Sequence, residues 1–248
     1  MRKIDDRRRN FLRSAGGSLI TIGAASGLGL SSRQAFSDNH QRVTQTRETQ
    51  AAKTPAQALQ RLKDGNARFV DGKLLKSNYR EQMKATSGGQ FPFAAIVGCI
   101  DSRASNELIF DQGIGDIFST RVAGNFIDDE VLGGLEFACA ISGALQIVVI
   151  GHTECGAIKG ACDDVVFGNL TQTLSYIKPA VADVTGFDEN RTSSNAQFVQ
   201  AVADKNVALG IDRIRRRSPV LKALIDEGRL GLAGAMYDVH SGRVTFMS

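Results

Sequence analysis

The segment Gln146-Ile-Val-Val-Ile-Gly151 is the most strand-like stretch of this 248-residue chain, and His152-Thr-Glu-Cys155 follows it directly. A short, continuous apolar run of this kind is typical of a β-strand that is buried on both faces of a parallel sheet. A second such run, Pro92-Phe-Ala-Ala-Ile-Val-Gly98, is followed by Cys99-Ile-Asp-Ser-Arg103. Residues that can bind a metal or move a proton therefore follow both predicted strands.

Strands alternate with helices along most of the remaining chain. Further strands are predicted over 116–121, 229–237 and 243–247, the last of them an antiparallel edge strand. Helices are predicted over 55–69, 78–86, 130–142, 196–217 and 219–228. This alternation predicts an α/β fold with three layers, αβα, in which a mostly parallel four-stranded central sheet carries an antiparallel edge strand.

The carboxyl ends of parallel strands meet at one edge of a sheet, where ligands bind. We expect Cys99, His152 and Cys155 to converge there. Two thiols and one imidazole make three ligands. A catalytic zinc site uses three protein ligands and leaves the fourth position for water or substrate. Asp101 lies beside the first ligand as a proton acceptor or possible fourth ligand, and Arg103 can pair with it and keep it ionised.

Four cysteines occur in the chain, at positions 99, 139, 155 and 162. An even number permits disulfides in an oxidising compartment, so a Cys99–Cys155 disulfide is an alternative to a metal site. We favour the metal because both residues lie in ligand-like motifs at strand ends. Cys139 lies in an apolar helical stretch and is interpreted as a core residue. Cys162 is assigned no role.

The first 37 residues differ in character from the rest of the chain. Arg7-Arg8-Arg9-Asn10-Phe11-Leu12-Arg13 resembles a twin-arginine export signal, and Ser14 to Leu30 is uncharged and rich in glycine. Ala35-Phe36-Ser37 places small residues where a signal peptidase needs them. We therefore predict that residues 1–37 are a twin-arginine signal peptide recognised by that export machinery, and that the mature protein is periplasmic or secreted. An uncleaved anchor or a disordered basic tail is the alternative.

Charge and composition bound the remaining chain. Residues 1–37 carry six arginines and one lysine against two aspartates, so they account for the net charge of +4. The near-neutral remainder argues against nucleic-acid binding, and no stable membrane span is expected in it. Residues 38–52 are polar and aperiodic, which predicts a flexible arm before a single domain over 53–248. The basic run from Arg213 to Arg217 is interpreted as a solvated helix end, with a subunit contact or an anion site as the alternative.

Three motifs resemble those of the β-class carbonic anhydrases, and the resemblance extends over about 55–248. Cys99-Ile-Asp-Ser-Arg103 is similar to the family's Cys-x-Asp-Ser-Arg motif, and Gly151-His-Thr-Glu-Cys-Gly156 to its Gly-His-x-x-Cys-Gly motif. Arg121-Val-Ala-Gly-Asn125 resembles the Arg-x-Ala-Gly-Asn segment, and Gln90 matches a substrate-binding glutamine. Several matches in order make the resemblance specific.

The resemblance implies reversible hydration of carbon dioxide to bicarbonate and a proton, the reaction of a carbonate dehydratase. It implies one Zn²⁺ per chain, held by Cys99, His152 and Cys155, with Asp101 and Arg103 as the catalytic pair. In a closed state of the site, Asp101 would be the fourth zinc ligand. Hydrolysis of carbonyl sulfide or carbon disulfide with the same ligands is one alternative. The other is a non-enzymatic protein that binds zinc or bicarbonate.

The resemblance also implies a homodimer or a tetramer, with N-terminal helices, from Pro55 onward, that extend onto a partner subunit. Gln90 would then reach the substrate across the dimer interface. The backbone N–H of Gly156, at the start of a helix, is a second expected substrate donor. Phe91 and Phe110 are candidates for the apolar wall of the site. Arg121 and Asn125 are interpreted as supporting the fold rather than as catalytic.

Overall fold

The computed structural model describes residues 41–247, so the predicted signal peptide and the first residues of the predicted arm lie outside the described part. The helices are α1 (Arg47–Ala51), α2 (Pro55–Val70), α3 (Tyr79–Thr86), α4 (Asn106–Ile109), α5 (Asp129–Glu136), α6 (Gly156–Cys162), α7 (Leu170–Ser175), α8 (Lys178–Asp183), α9 (Ala196–Arg217) and α10 (Pro219–Asp226). The strands are β1 (Ala94–Gly98), β2 (Ile117–Arg121), β3 (Gln146–His152), β4 (Gly231–Tyr237) and β5 (Val244–Phe246).

The five strands form one sheet in the order β2-β1-β3-β4-β5. The first four strands are parallel and β5 is antiparallel to β4, which confirms the predicted sheet. From β1 the chain runs outward to β2 and then crosses to β3 on the other side of β1. A crevice for ligands is expected at such a switch point, outside the carboxyl ends of β1 and β3.

Helices cover both faces of the sheet, because neighbouring residues of each central strand point to opposite sides. Val97 and Val149 belong to a core cluster with residues of α5, α9 and α10. Ile96 and Val148 belong to a second cluster, which includes Leu62 of α2. The three-layer arrangement predicted from the sequence is therefore confirmed.

The described part of the predicted arm, 41–52, is folded onto the domain rather than flexible. The short helix α1 lies within it, and Gln50 is buried at its end. The Gln50 side chain donates hydrogen bonds to the carbonyl oxygens of Pro92, at 2.7 Å, and Ser142, at 2.9 Å. Two main-chain oxygens from distant segments thus receive hydrogen bonds from one side chain. The periodicity of the local sequence does not indicate such contacts.

A buried group of charged side chains, here called the Asp111 cluster, fixes the start of this segment. It comprises Arg42, Arg61, Arg68, Asp111 and Asp116. Arg42 is only 5% exposed and pairs with Asp111, whose other carboxylate oxygen lies 2.6 Å from Nε of Arg68. Arg61 holds Asp116 at 2.9 Å. Three guanidinium groups thus compensate two carboxylates that are almost fully buried.

Helix α2 packs one face on its own chain, and its contact with a partner subunit, which the family resemblance implied, stays a prediction. Its Ala58 and Leu62 are fully buried in the cluster that contains β1 and β3 residues. Its Asn66 donates a hydrogen bond of 3.0 Å to the carbonyl oxygen of Ile109 at the end of α4. The apolar stripe of the helix that begins at Pro55 is therefore covered by the same chain.

Two stretches depart from the predicted helices. The helix expected over 130–142 is divided into α5 and a π-helical turn, Phe137–Ile141, which ends where Gly143 takes a φ of +82°. The segment 163–195, for which no element was predicted, contains the short helices α7 and α8. Within 41–247 no helix combines the length and apolar character needed to span a membrane.

Candidate metal centre

The three predicted metal ligands come together at the switch point of the sheet. Cys99 directly follows β1, His152 is the last residue of β3, and Cys155 is the residue before the first turn of α6. Their ligand atoms lie within 4.8 Å of one another, and all three residues are buried. The convergence predicted from strand ends is therefore observed.

The geometry of these donors fits a zinc ion and not a disulfide. The Sγ atoms of Cys99 and Cys155 are 3.9 Å apart, whereas a disulfide bond is about 2.05 Å long. Two thiolates on a tetrahedral zinc, at Zn–S distances of about 2.3 Å, lie about 3.8 Å apart. Nε2 of His152 is buried and has no hydrogen-bond partner among the described residues. A buried, unpartnered nitrogen beside two sulfur atoms is the donor set that zinc prefers.

The orientation of His152 is set by its own main chain. Nδ1 lies 2.8 Å from the carbonyl oxygen of Thr153, which places the proton on Nδ1 and the lone pair on Nε2. Burial lowers the pKa of His152, but its interaction with Cys99 outweighs this effect and, together with the Thr153 bond and the charge of Asp101, raises the pKa above its ordinary value. The ring is thus held with Nε2 facing the thiols.

The pKa values of the two cysteines of the site are shifted in opposite directions. A hydrogen bond from Cys155, supported by His152 and the Gly124 N–H, lowers the pKa of the Cys99 thiol to about 4. The same hydrogen bond, together with burial, raises the pKa of Cys155. The sequence reasoning did not identify Gly124, whose N–H lies 3.3 Å from Cys99 Sγ. Glycine is required at position 124 because φ is +80°. A Cβ atom there would also lie 2.4 Å from the side chain of Ile177.

Asp101 and Arg103 form the pair that the sequence predicts. The carboxylate of Asp101 accepts hydrogen bonds from the Arg103 N–H, Nε and Nη2, at 2.9, 3.0 and 2.8 Å. These bonds hold the pKa of Asp101 well below its usual range, so the group is ionised at neutral pH. Its Oδ2 lies 3.8 Å from Nε2 of His152. An ionised carboxylate therefore faces the metal ligands, and an arginine restrains it.

Arg121, at the carboxyl end of β2, supports the loop that carries the site. Its Nε donates to the carbonyl oxygen of Cys99 at 2.9 Å, and Nη2 donates to that of Ile100 at 3.0 Å. Nη2 also donates to the carbonyl oxygen of Asp101. One side chain thus holds three consecutive carbonyl groups, which agrees with the supporting role predicted for it.

The two expected substrate-binding residues lie in different places. Gly156 is the first residue of α6, at the metal centre, and no other group lies within 4 Å of the space that a side chain would fill there. Gln90 is exposed and precedes β1, whereas Cys99 follows it. Because β1 separates them, Gln90 does not reach the metal centre of its own chain.

Within its own chain, the apolar wall of the centre is not formed by the predicted phenylalanines. Phe110 is fully buried on the α2 side of the sheet, with its ring 6.3 Å from that of Phe246. Phe91 lies beneath the guanidinium of Arg47, near the amino end of β1. The cluster that includes Cys99 and Cys155 is instead built from aliphatic side chains such as Ile158 and Ile177. These come from α6 and from the α7–α8 segment, in which no element was predicted for residues 163–195.

Comparison with known proteins agrees with this geometry. Residues 94–244 match the family model described as carbonic anhydrase. A carbonic anhydrase of Mycolicibacterium smegmatis is 33% identical over 78% of this chain and 94% of its own length. Carbonic anhydrase 2 of Mycobacterium tuberculosis is 34% identical over 76% of this chain and 91% of its own. A tetrameric β-carbonic anhydrase from Sordaria macrospora superposes with a TM-score of 0.59, at 26% identity, over 68% of this chain and 87% of its own. With the Cys-His-Cys centre at the switch point of the same fold, the chain belongs to the β-carbonic anhydrase family.

Proposed function

We propose that this protein catalyses the reversible hydration of carbon dioxide to bicarbonate and a proton, with one Zn²⁺ per chain held by Cys99, His152 and Cys155. The observation that carries this proposal is the ionised Asp101, with Oδ2 3.8 Å from His152 Nε2 beside two free thiols. A purely structural zinc site needs four fixed protein ligands. Here the fourth candidate is tied to Arg103 instead, and the relatives named above are carbonic anhydrases.

The residues of the chain have distinct tasks in this reaction. When bound, zinc would supply a hydroxide nucleophile near neutral pH, because it lowers the pKa of water to about 7. The Asp101 carboxylate accepts the nucleophile's proton in a hydrogen bond and so directs its free electron pair at the carbon of the substrate. Arg103 keeps Asp101 ionised and away from the ligands, while aliphatic side chains exclude bulk water.

Substrate oxygens are held by Gly156 and by a glutamine from a second chain. The N–H of Gly156 begins α6 and lies beside the ligand Cys155. Gln90 lies at the opposite end of β1 from Cys99, so it can serve only the centre of a neighbouring subunit. This arrangement supports a homodimer or an assembly of dimers, and the relative from Sordaria macrospora is tetrameric.

Stopped-flow measurement of carbon dioxide hydration, with zinc quantified in the same sample, tests the proposal. Rapid turnover with one zinc per chain is the expected result. Zinc at one per chain without turnover between about pH 6.5 and pH 9 would refute it. Release of sulfide from carbonyl sulfide or carbon disulfide by the same sample would then identify a sulfide-substrate hydrolase. Inactivity toward all three compounds would indicate a zinc-binding protein in which Asp101 stays on the metal.

We further propose that residues 1–37 direct export by the twin-arginine route, which places the mature protein in the periplasm or outside the cell. The support is the sequence Arg7-Arg8-Arg9-Asn10-Phe11-Leu12 and the small residues that end at Ser37. Cell fractionation and amino-terminal sequencing of the mature protein test this. Replacing Arg8 and Arg9 together by lysine should retain the precursor in the cytoplasm, whereas Arg33→Lys should not. Equal export of both variants would refute the route.

A further inference from the structure

A cavity of about 470 Å³ lies beside the arginine-rich end of α9. It is enclosed by α9, by the α7–α8 segment and by the residues that follow the Arg-x-Ala-Gly-Asn motif, and none of the metal ligands lines it. Cavities that bind small molecules have volumes of roughly 300–1,000 Å³. The size of this cavity therefore suits a small ligand, and its two halves differ sharply in chemistry.

One half of the cavity is lined by aromatic and aliphatic side chains. The rings of Phe126 and Tyr176 are stacked, with centroids 4.4 Å apart and planes inclined by only 7°. Ile127 and Leu209 extend this surface. A planar ring placed against such a surface gains contact area and favourable offset stacking.

The other half carries positive charge. Arg213, Arg216 and Arg217 line it, and they share only two carboxylates among the described residues. Asp129 lies 3.2 Å from Arg217 but 3.8 Å from Arg213, and Asp212 pairs with Arg216. The charges of the group therefore sum to +1.

Arg213 is the member of this group whose hydrogen bonding is least satisfied. Its Nε is buried and, within residues 41–247, has no hydrogen-bond partner. A buried donor without an acceptor destabilises a protein by about 1–3 kcal/mol. The terminal nitrogens of Arg213 are also without a hydrogen bond among these residues, because the carboxylate of Asp129 lies 3.8 Å from Nη2, so they can bind an anionic group in the cavity.

We propose that this cavity binds a small aromatic carboxylate, with the ring against Phe126 and Tyr176 and the carboxylate against Arg213 and Arg217. The solvated helix end predicted from the basic run explains Arg215, which is exposed and does not line the cavity. It does not explain why the neighbouring arginines surround a cavity that has an aromatic wall. The proposal is independent of the reaction at the metal centre.

Isothermal titration of the zinc-loaded protein with 2-naphthoate, and with the uncharged 2-naphthamide, tests this. Naphthoate should bind, and naphthamide should bind at least about tenfold more weakly, because it cannot pair with the guanidinium groups. Arg213→Met keeps the aliphatic stem of the side chain and should weaken naphthoate binding by about tenfold. Arg215→Met, two residues further along the helix but outside the cavity, should leave the dissociation constant unchanged.

Three results would overturn the proposal. The first is no heat of binding for naphthoate up to about 5 mM, where a site of even millimolar affinity is detected. The second is equal affinity for the acid and the amide. The third is an equal effect of Arg213→Met and Arg215→Met, which would indicate general charge attraction or binding at the zinc. If thermal unfolding shows that Arg213→Met is not folded, Arg217→Met replaces it and should weaken binding in the same direction.

Discussion

Replacing Arg42 by methionine is expected to lower the free energy of unfolding by about 2–3 kcal/mol. The Arg42 side chain is 5% exposed and the carboxylate of its partner Asp111 is 2% exposed. Its Nε also donates a hydrogen bond of 2.8 Å to the hydroxyl of Ser77. Methionine keeps most of the apolar contact area of the stem, so the change isolates the lost charge and hydrogen bonds.

The magnitude follows from what remains around Asp111. Removal of one partner from a buried ion pair costs about 3–5 kcal/mol when the other charge is left uncompensated. Here Arg68 still binds the second oxygen of Asp111 at 2.6 Å, and the Leu75 N–H lies 3.3 Å from it. The expected loss is therefore below that range. In a domain of this size it corresponds to a fall of about 5–10 °C in melting temperature.

Thermal and urea unfolding of the purified protein measure this loss. Arg80→Met is the matched control, because Arg80 is exposed on α3 and has no ion pair among the described residues. A double-mutant cycle with Asp111→Asn should give a coupling energy of at least about 1 kcal/mol between Arg42 and Asp111. The reasoning is refuted if Arg42→Met melts within about 1 °C of Arg80→Met, or if the two changes in the cycle are additive.

Four further predictions concern the reaction. Cys155→Ser should lose zinc and hydration activity together. Asp101→Asn should keep zinc but lose at least about tenfold in kcat, because an amide is a poor proton acceptor. Full activity of either variant would contradict the assigned roles. Arg121→Lys cannot hold three carbonyl groups at once, so it should retain zinc, lower kcat and alter the pH profile; a normal rate and profile would exclude a positioning role. A mixed dimer of Gln90→Ala and Cys155→Ser chains should regain roughly half of the native rate, because one of its two sites combines an intact centre with an intact glutamine; an inactive mixed dimer would place Gln90 within its own chain's site.

The metal centre was predictable because its signals are local. Apolar runs define β1 and β3, and the ligands follow these strands within a few residues, so parallel topology alone brings Cys99 and His152 together. Asp101 and Arg103 lie within four residues of the first ligand.

Features that depend on distant pairing could not be predicted in the same way. Arg42 is buried because of Asp111, which is 69 residues away, and no periodicity in 41–52 signals that contact. The backbone N–H of Gly124 bonds to Cys99 across 25 residues, and a glycine in a motif does not specify what its amide contacts. The short helices α7 and α8 have six residues each, which is too short for an apolar periodicity to indicate them.

Because Gln90 lies at the amino end of β1, we expect the rate per chain to depend on the association of subunits. If each centre borrows this side chain from a neighbour, dilution below the dissociation constant of the dimer separates the glutamine from the metal while every chain stays folded. Specific activity should then decrease as the protein is diluted. The zinc content and the melting temperature of the domain should change far less. The measured rate would then report the fraction of chains that are assembled, and it would depend on the protein concentration used in the assay.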